Sequence, residues 1–464
     1  MKMDFRSLHE ECGVFGAIGV EDAYDVVMTG LAALQHRGQE GCGIAYTDGQ
    51  GNIHVDKGPG LVFRVFSSVI PGSHPGRSAI GHVRYGTAGG REVDNIQPFA
   101  FHQHGEDYAI AHNGNIVNAK ELKAEMGRRE VLFCSSSDSE ILGHLVKMPP
   151  SGKAPLSGDT LSLALNRIEG AFSYLVLTPD RLYAARDKYG FRPLSIGRLG
   201  SGFVFSSETC ALNAVGARYV RDVEPGEMIT ADVSGLRTRR WSRFHRNALC
   251  AMEYIYFARP DSDIEGVNVH AFRKESGRIL YEESPVEADM VFGVPDSGLS
   301  PAIGYSERSG IPLEMGVIKN FYVGRTFIEP TQQMREAGVR LKLTPVRSVV
   351  RGKDVVVIDD SIVRGTTSRQ LVKMLRDAGA RRVHLRISSP PLKHPCFYGI
   401  DISSESELIS SRLDVEEVRR FIGADSLAFL SKEGLLRAGH RTDLCMACFD
   451  GDYPTALYGN ERRR

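Results

Sequence analysis

Apolar and polar positions alternate differently in the two halves of the chain. In the first half, residues 12–19 form a short apolar run, and residues 23–36 place apolar side chains at helical spacing, with Gly38 as the expected C-cap. Short apolar runs broken by Gly, Asp and Pro then recur at 53–55, 79–83, 108–111, 172–177, 181–185, 193–197 and 202–206. This spacing predicts a strand-rich α+β unit with antiparallel sheets.

The second half has the pattern of a βαβ unit. The apolar runs at 289–294 and 354–358 each lead into a polar loop that contains glycine, and a segment with helical spacing at 367–378 precedes a third run at 383–387. Strand, loop, helix and strand in this order predict an α/β unit with a parallel sheet. We place the boundary between the two patterns near Trp241. The chain is thereby divided into a leading segment, 1–11, and two units, 12–245 and 246–464.

Composition and charge exclude several classes of protein. The 464 residues carry 57 Lys+Arg and 57 Asp+Glu, so the formal net charge is zero and there is no global attraction to nucleic acid or to an anionic membrane. With 42% hydrophobic and 25% charged residues, the chain has the composition of a soluble globular protein. The charged opening segment lacks the apolar stretch of a secretory signal, so we expect a cytoplasmic protein whose 8 cysteines are reduced.

Cys12 stands at the head of the first apolar run. A buried strand cysteine is the ordinary interpretation of such a residue. A site lined by loops is indicated by four polar segments that contain glycine or serine: LQHRGQE (34–40), GHVRYGTAG (81–89), HNGNIVN (112–118) and SSSDSE (135–140). In this order they resemble the class II glutamine amidotransferases of the N-terminal nucleophile hydrolase fold. The resemblance implies antiparallel sheets between helices, and a propeptide, residues 1–11, whose removal exposes Cys12 as the first residue.

The same resemblance assigns roles to single residues. The α-amino group of Cys12 would act as base, since an α-amine with a pKa of about 7.7–8.0 can accept the proton of a thiol with a pKa of about 8.5. Arg84 would bind the α-carboxylate of glutamine and Asp138 its α-ammonium group, while the Asn113 side chain and the Gly114 N–H would form an oxyanion hole. Asn-Gly is also typical of a type I′ hairpin turn, and such a turn can present the same N–H.

The run VVVIDDSIVRGTTS (355–368) carries the main chemical signal of the second half. It places Asp359 and Asp360 at the carboxyl end of a parallel strand, where open α/β sheets bind ligands, and two adjacent carboxylates suit ribose hydroxyls or a Mg²⁺ ion. Gly365, Thr366 and Thr367 follow at a helix N-terminus, which is a phosphate-binding arrangement. The GxxxxGK[ST] loop is absent. The run resembles the phosphoribosyl pyrophosphate (PRPP) motif of the type I phosphoribosyltransferases.

Two further segments resemble parts of the same family. GVPDSGLSP (293–301) is similar to its pyrophosphate-side loop, which implies that Ser297 lies near Mg²⁺ together with Asp359 and Asp360. The segment 318–332 is similar to the loop that closes over PRPP, with Lys319 and Arg325 as pyrophosphate contacts. Phe321 departs from the family pattern, in which arginine is frequent, so no phosphate-binding role is carried over to it. Without the neighbouring motifs, 318–332 would be interpreted as a surface loop.

The remaining cysteines divide into two groups. Cys445 and Cys448 form a C-x₂-C pair, and Cys250 and Cys396 lie far from it in sequence. Four thiolates suit either a tetrahedral Zn²⁺ or an iron–sulfur cubane, and the spacing alone leaves both open. The contexts resemble those of the amidophosphoribosyltransferase branch that carries one structural [4Fe–4S] cluster per subunit. Cys42, Cys134 and Cys210 are interpreted as packing residues.

Taken together, the two halves resemble one family, the amidophosphoribosyltransferases, from about Cys12 to Cys448. The resemblance implies hydrolysis of glutamine and transfer of its ammonia to PRPP, the first step of de novo purine biosynthesis, with feedback inhibition by purine nucleotides and a homo-oligomer, commonly a tetramer. One alternative is another class II amidotransferase, such as a glucosamine-phosphate or asparagine synthetase, but residues 355–368 favour PRPP. The second alternative is a non-enzymatic regulator with a phosphoribosyltransferase fold, and such a protein would have no use for Cys12. No nucleic-acid or membrane partner is expected.

Overall fold

The computed structural model describes residues 12–48, 50–85, 93–103, 106–148, 156–320, 343–402 and 404–459, with Gln103 and Glu106 described by their backbone. The predicted propeptide, Arg325 and Phe321 lie outside these residues. No helix within the described ranges is long and apolar enough to cross a membrane.

Two antiparallel sheets form the first half. The seven-stranded sheet consists of β1 (Gly13–Ile18), β2 (Gly41–Thr47), β3 (Ile53–Pro59), β4 (Ser78–Arg84), β9 (Ser195–Leu199), β10 (Gly202–Ser206) and β11 (Arg218–Asp222). The six-stranded sheet consists of β5 (Phe99–Gln103), β6 (Glu106–Ile116), β7 (Gly170–Leu177), β8 (Leu182–Arg186), β12 (Glu227–Asp232) and β13 (Gly235–Arg240). Their strand orders are β11-β9-β10-β1-β4-β2-β3 and β13-β12-β8-β7-β6-β5.

The two sheets pack face to face between helices. Alternation along β1 shows how: Val14 points into the core between the sheets, where it joins Leu175 of β7, and Phe15 points to the opposite face. Helices cover both outer faces, as the resemblance implied. They are α1 (Ala23–Ala33), α2 (Val62–Val65), α3 (Ala119–Gly127), α4 (Glu140–Val146), α5 (Gly158–Leu165) and α6 (Thr209–Ala214).

Every apolar run predicted as a strand in this half overlaps a strand, but the predicted C-cap of the first helix is wrong. Helix α1 ends at Ala33 with Leu34 as its C-cap, and Gly38 lies beyond the following turn. Gly38 has a different reason to be glycine, because a Cβ there would lie 2.6 Å from the carbonyl carbon of Arg84. The missing side chain therefore lets this loop approach the end of β4 closely.

A parallel sheet forms the second half, as predicted. Its strands β17 (Met290–Gly293), β20 (Asp354–Asp359), β21 (Arg382–Ile387) and β22 (Ser426–Phe429) lie in this order, and all neighbours are parallel. Alternation along β20 buries Val356 with α7 and α8 on one face and Val357 with α10 on the other. The longer helices are α7 (Val269–Glu283), α8 (Leu299–Ser309), α10 (Thr366–Asp377), α11 (Val415–Ile422) and α12 (Lys432–Ala438).

Short elements complete the second half and join it to the first. They are β14 (Leu249–Cys250), β15 (Asp263–Ile264), β16 (Val267–Asn268), β18 (Val317–Lys319), β19 (Leu343–Pro345), β23 (Leu444–Cys445), α9 (Arg347–Val350), α13 (Ala447–Asp450) and a π-helical turn, Glu253–Phe257. Trp241 belongs to the core of the first half and Leu249 to that of the second. The halves touch directly, since Asn115 Nδ2 donates a 2.8 Å hydrogen bond to the Phe397 carbonyl.

Candidate active sites and a cysteine-lined cavity

Cys12 lies immediately before β1, at the end of the first sheet where β4 also ends. Its Sγ is 3.4 Å from the carbonyl oxygen of Tyr85 and 3.4 Å from the Tyr85 backbone nitrogen. Burial raises the pKa of this thiol, while the Tyr85 backbone contact and the positive charge of Arg84 act in the opposite direction. The neutral thiol is therefore favoured at rest, and the group needs a base before it can attack a carbonyl.

Charged residues of opposite sign lie near the thiol. Arg84 is buried at the end of β4, with its guanidinium 3.9 Å from the Glu40 carboxylate. Asp138 is buried in the turn before α4, and its carboxylate accepts a 2.7 Å hydrogen bond from the Ile116 backbone N–H. The charges of both residues act on the Cys12 thiol. The structure thus brings the predicted carboxylate-binding and ammonium-binding residues to one site.

Asn113 and Gly114 lie inside β6, so the hairpin turn that their sequence favours does not form. Asn113 pairs with Ser173 and Gly114 with Phe172 of β7, and these long-range pairs override the local preference. Gly114 has a φ of 145°, and a Cβ there would lie 2.0 Å from the Ala171 carbonyl oxygen. The Asn113 amide is buried, yet neither its nitrogen nor its oxygen has a hydrogen-bond partner in the part of the chain that the structure describes.

Two buried histidines lie beside these residues and were not predicted. Burial is the main cause that lowers the pKa of His82 to about 3, with the charge of Arg84 acting in the same direction. His112 stacks on Tyr174 at 4.3 Å and bonds Ser139 Oγ through Nδ1 at 2.8 Å. Both histidines belong to the motifs that carry Arg84 and Asn113, so inspection of the inward positions of those motifs could have found them.

Asp359 and Asp360 lie at the carboxyl end of β20, as predicted. Asp360 is buried and accepts hydrogen bonds from the hydroxyls of Ser297 and Ser361. Burial raises the pKa of both carboxyls, and the neighbouring charge of Asp360 raises that of Asp359 further. The pair is therefore suited to ligands that donate hydrogen bonds or carry positive charge.

The loop after this acidic pair opens into the N-terminus of α10. Gly365 is the N-cap residue with a φ of 71°, a left-handed conformation that glycine adopts readily, and Thr366 is the first helical residue. Because the cap residue has no side chain, nothing of its own covers the first N–H groups of the helix. Thr367 follows within the same turn, and the arrangement is suited to a phosphate group.

The pyrophosphate-side loop lies beside the acidic pair. Ser297 reaches Asp360, and the Pro295–Asp296 peptide bond in the same loop is cis. Lys319, at the end of β18, forms an ion pair with Asp296. The structure therefore places two of the predicted phosphate-side residues at one edge of the site, and Arg325 lies outside the described residues.

Four cysteines from three segments line one small cavity between the halves. Cys250 and Cys445 are paired residues of β14 and β23, which run parallel. Cys396 and Cys448 complete the set around the cavity. Within the described ranges, no three His, Cys, Asp or Glu side chains are arranged to hold a single metal ion.

The cavity is apolar and enclosed. Its other lining residues are Phe191, Tyr398, Ile400, Ala447 and Tyr453. Burial raises the pKa of Cys250 to about 11, and burial together with the neighbouring cysteines raises those of Cys445 and Cys448 well above the usual value. Four thiolates are therefore favourable in this cavity only with a cationic centre between them.

Comparison with known proteins gives matches in both halves. A family model described as class-II glutamine amidotransferases matches residues 24–148, one described as a glutamine amidotransferase domain matches 89–214, and one described as a phosphoribosyl transferase domain matches 268–388. An amidophosphoribosyltransferase of Bacillus subtilis (strain 168) is 52% identical over 465 residues, covering 99% of this chain and 97% of the relative. One of Staphylococcus aureus (strain N315) is 46% identical over 466 residues, covering 99% and 94%.

Solved structures agree with these matches over the whole chain. The glutamine PRPP amidotransferase from B. subtilis complexed with ADP and GMP superposes with a TM-score of 0.91 at 51% identity, covering 97% of this chain and 98% of that one. A structure described as the allosteric regulatory enzyme of purine biosynthesis superposes with a TM-score of 0.92 at 52% identity, covering 97% of each chain.

Proposed function

The chain belongs to the amidophosphoribosyltransferase family, and we propose that its two candidate sites divide the family's reaction between them. The enzyme hydrolyses glutamine and transfers the ammonia to PRPP, giving 5-phosphoribosylamine, glutamate and pyrophosphate in purine biosynthesis. In our proposal, residues 12–245 carry the glutaminase site and residues 246–464 the PRPP site.

At the glutaminase site, Cys12 Sγ attacks the side-chain amide carbon of glutamine. The thiol proton passes to the α-amino group of Cys12, whose ordinary pKa is close to that of the thiol. The oxygen that becomes negatively charged is bound by the Asn113 amide and the Gly114 N–H. The protonated α-amino group gives its proton to the leaving nitrogen, which departs as ammonia, and water hydrolyses the resulting thioester to glutamate. Arg84 and Asp138 hold the α-carboxylate and α-ammonium groups of the substrate, so both charged ends of glutamine are bound.

The α-amino group is available only if Cys12 is the first residue. We therefore propose that residues 1–11 are a propeptide that is removed. Intact-mass and N-terminal analysis of the purified enzyme should show a chain that begins at Cys12. A chain that begins at Met1 and still hydrolyses glutamine would exclude the α-amine as base.

At the PRPP site, Asp359 and Asp360 accept hydrogen bonds from the ribose hydroxyls, and Gly365, Thr366 and Thr367 bind the 5′-phosphate. Lys319 and Arg325 would bind the pyrophosphate. Asp359, Asp360 and Ser297 would hold Mg²⁺, whose chemistry is to neutralise the charge of the departing pyrophosphate. Ammonia must reach ribose C1 without entering bulk water, because at pH 7 it would be mostly protonated and would not attack.

We propose that the cysteine-lined cavity holds one [4Fe–4S] cluster. In a cubane each cysteine binds a different iron, so the four sulfurs lie farther apart than around one Zn²⁺. Four cysteines from three segments around one apolar cavity support a centre bound by cysteines, and the resemblance of their contexts to the iron–sulfur branch of the family favours the cluster over zinc. The cluster's contribution is structural, because it ties β14, β23 and the Cys396 segment together.

Regulation and assembly follow the family. A relative has been solved with ADP and GMP, which supports feedback inhibition of this enzyme by purine nucleotides. We further propose a homo-oligomer, a tetramer, located in the cytoplasm, with no nucleic-acid or membrane partner.

The observation that carries the glutaminase assignment is that buried Arg84 and Asp138 both lie close enough to Cys12 for their charges to act on its thiol. Cys12→Ala should abolish glutamine-dependent formation of phosphoribosylamine and leave ammonia-dependent formation intact. The matched control is Cys134→Ala. Cys134 was predicted to be a packing residue, which is wrong because its side chain is exposed, so its replacement should leave both activities unchanged. Equal survival of both activities in Cys12→Ala would exclude Cys12 as the nucleophile.

A further inference from the structure

Four charged side chains form a buried network beneath Cys12. Arg37, Arg192, Glu208 and Glu253 each have 0% of the side chain exposed. The two arginines and two glutamates balance one another in an environment where an unpaired charge would be costly, and His36 Nε2 also contacts Glu208 Oε1 at 2.7 Å. Arg37, Arg192 and Glu208 belong to the first half of the chain, and Glu253 belongs to the second.

Arg37 connects this network to the nucleophile. Its Nε donates a 3.1 Å hydrogen bond to the carbonyl oxygen of Cys12. Its two terminal nitrogens donate to both Glu253 oxygens at 2.9 and 2.8 Å, and one of them also donates to Glu208 Oε1 at 2.7 Å. Burial alone would lower the pKa of Arg37, but the two glutamates raise it above its usual range, so the guanidinium stays charged.

Glu253 in turn is positioned by residues next to the cysteine-lined cavity. It begins the π-helical turn three residues after Cys250. Arg192 NH1 contacts its Oε1 at 3.3 Å, while Arg192 NH2 donates to the Tyr398 carbonyl at 2.5 Å. The Tyr398 N–H lies 3.3 Å from Cys396 Sγ. A continuous chain of hydrogen bonds therefore runs from the cysteine segments of the second half to the backbone of Cys12.

The hydrogen bond to the Cys12 carbonyl restrains the position of the nucleophile. Once Cys12 is the first residue, no preceding peptide restrains it, and chain ends are mobile unless they are tied down. Its thiol must nevertheless point at the amide carbon of the substrate, with its α-amino group within reach of the thiol proton. A charged donor fixed on its carbonyl restrains the residue without occupying either reactive group.

We propose that Glu253 is a positioning residue for the glutaminase reaction: by holding the Arg37 guanidinium on the Cys12 carbonyl, it sets the direction in which the nucleophile points. This inference rests on the proposed role of Cys12. It makes the second half of the chain, which carries the PRPP site, a contributor to the geometry of the glutaminase site.

The test is Glu253→Gln in the full-length holoenzyme. The amide keeps the size of the side chain but removes the charge that holds Arg37. We expect the glutaminase kcat to fall by about 100-fold, the scale at which small misplacement of a reacting group acts, with little change in the KM for glutamine. The rate at which a chloroketone analogue of glutamine labels Cys12 should fall in parallel, and ammonia-dependent synthesis should persist.

Glu227→Gln is the matched control. Glu227 is a buried carboxylate that accepts hydrogen bonds from both terminal nitrogens of Arg221 at 2.7 and 2.9 Å, and its replacement should change none of these values.

Each outcome decides the inference. Normal kcat and normal labelling in Glu253→Gln would overturn it, as would an equal loss of the glutamine-dependent and ammonia-dependent activities in a folded protein. If Glu253→Gln does not fold, Glu253→Asp keeps the charge but withdraws it from Arg37 by one methylene, and a normal kcat in that variant would overturn the inference. Cys12→Ala separates the two hypotheses. If Cys12→Ala keeps glutamine-dependent activity, Cys12 is not the nucleophile. If Cys12→Ala loses that activity while Glu253→Gln keeps a normal kcat, only the positioning role of Glu253 is refuted.

Discussion

Cys250 and Cys445 are paired residues of one parallel ladder, although one precedes the parallel sheet of the second half and the other follows it. Only the fold brings them together, with Cys396 and Cys448, around one enclosed cavity. A bound centre in this cavity would join the beginning and the end of the second half. The most direct prediction concerns what that centre is.

Protein purified without oxygen should be brown and should contain about four irons per chain, as expected for one [4Fe–4S] centre bound by four cysteines. Cys445→Ser should lose the colour and the iron, whereas Cys134→Ser, which changes an exposed thiol, should keep both. Metal analysis and the visible absorption spectrum measure this. A colourless protein with one zinc per chain would show that the cavity holds a single ion.

Asn113→Ala should lower the kcat for glutamine hydrolysis by about 100-fold, the usual cost of removing one oxyanion-hole donor. The reason is that the buried Asn113 amide has no hydrogen-bond partner among the described residues, and a developing oxyanion would supply one. Asn115→Ala, two residues along the same strand, removes a contact to Phe397 instead and should leave kcat nearly unchanged. Steady-state glutaminase assays compare the two, and equal kcat values would remove Asn113 from the oxyanion hole.

Asp360→Asn should raise the KM for PRPP by about 10- to 100-fold, the range for losing a hydrogen bond to a charged group. Ammonia-dependent synthesis measured against PRPP concentration gives this value, and glutamine hydrolysis in the absence of PRPP should not change. The control Asp354→Asn makes the same substitution at the other end of β20, where the carboxylate pairs with Arg381. It should lower the free energy of unfolding by about 1 kcal/mol or less and leave the KM for PRPP unchanged. If both variants had the same KM, the acidic pair would not bind PRPP.

Stability should fall as the pH drops from 7 to 5 because His82 stays neutral in the fold. Burial lowers the pKa of His82 from 6.5 to about 3, so below pH 6.5 the unfolded chain binds a proton that the folded chain does not. The contribution of His82 to the free energy of unfolding is therefore fully present above pH 6.5 and decreases below it. By pH 5 the free energy of unfolding has fallen by about 2 kcal/mol.

Urea unfolding of two variants at pH 7 and pH 5 isolates this contribution. His82→Gln should lose about 2 kcal/mol less between these pH values than His245→Gln, which replaces an exposed histidine. The same pH dependence in both variants would mean that His82 is protonated in the folded protein.

Much of the fold could be predicted from short-range pattern alone. Short apolar runs indicated eight of the thirteen strands of the two antiparallel sheets and three of the four strands of the parallel sheet. The order of strand, loop and helix around Asp359 and Asp360 predicted their position at the end of β20. The predicted cap at Gly38 was wrong because its glycine is required by the backbone of β4 rather than by the helix. The hairpin turn that Asn113-Gly114 favours locally does not form for a similar reason, since eight paired residues with β7 extend the strand through it.

The sequence by itself determined which chemical groups the chain has, because each motif carries its residues within one loop or one strand end. It determined the antiparallel first half and the parallel second half, since short strands joined by turns differ locally from strands that alternate with a helix. Only the tertiary structure decided that four cysteines line one cavity, that the Asn113 amide is buried without a partner among the described residues, and that Glu253 reaches Arg37. These relationships join segments far apart in the chain, and no local spacing encodes a contact that depends on how the two halves pack.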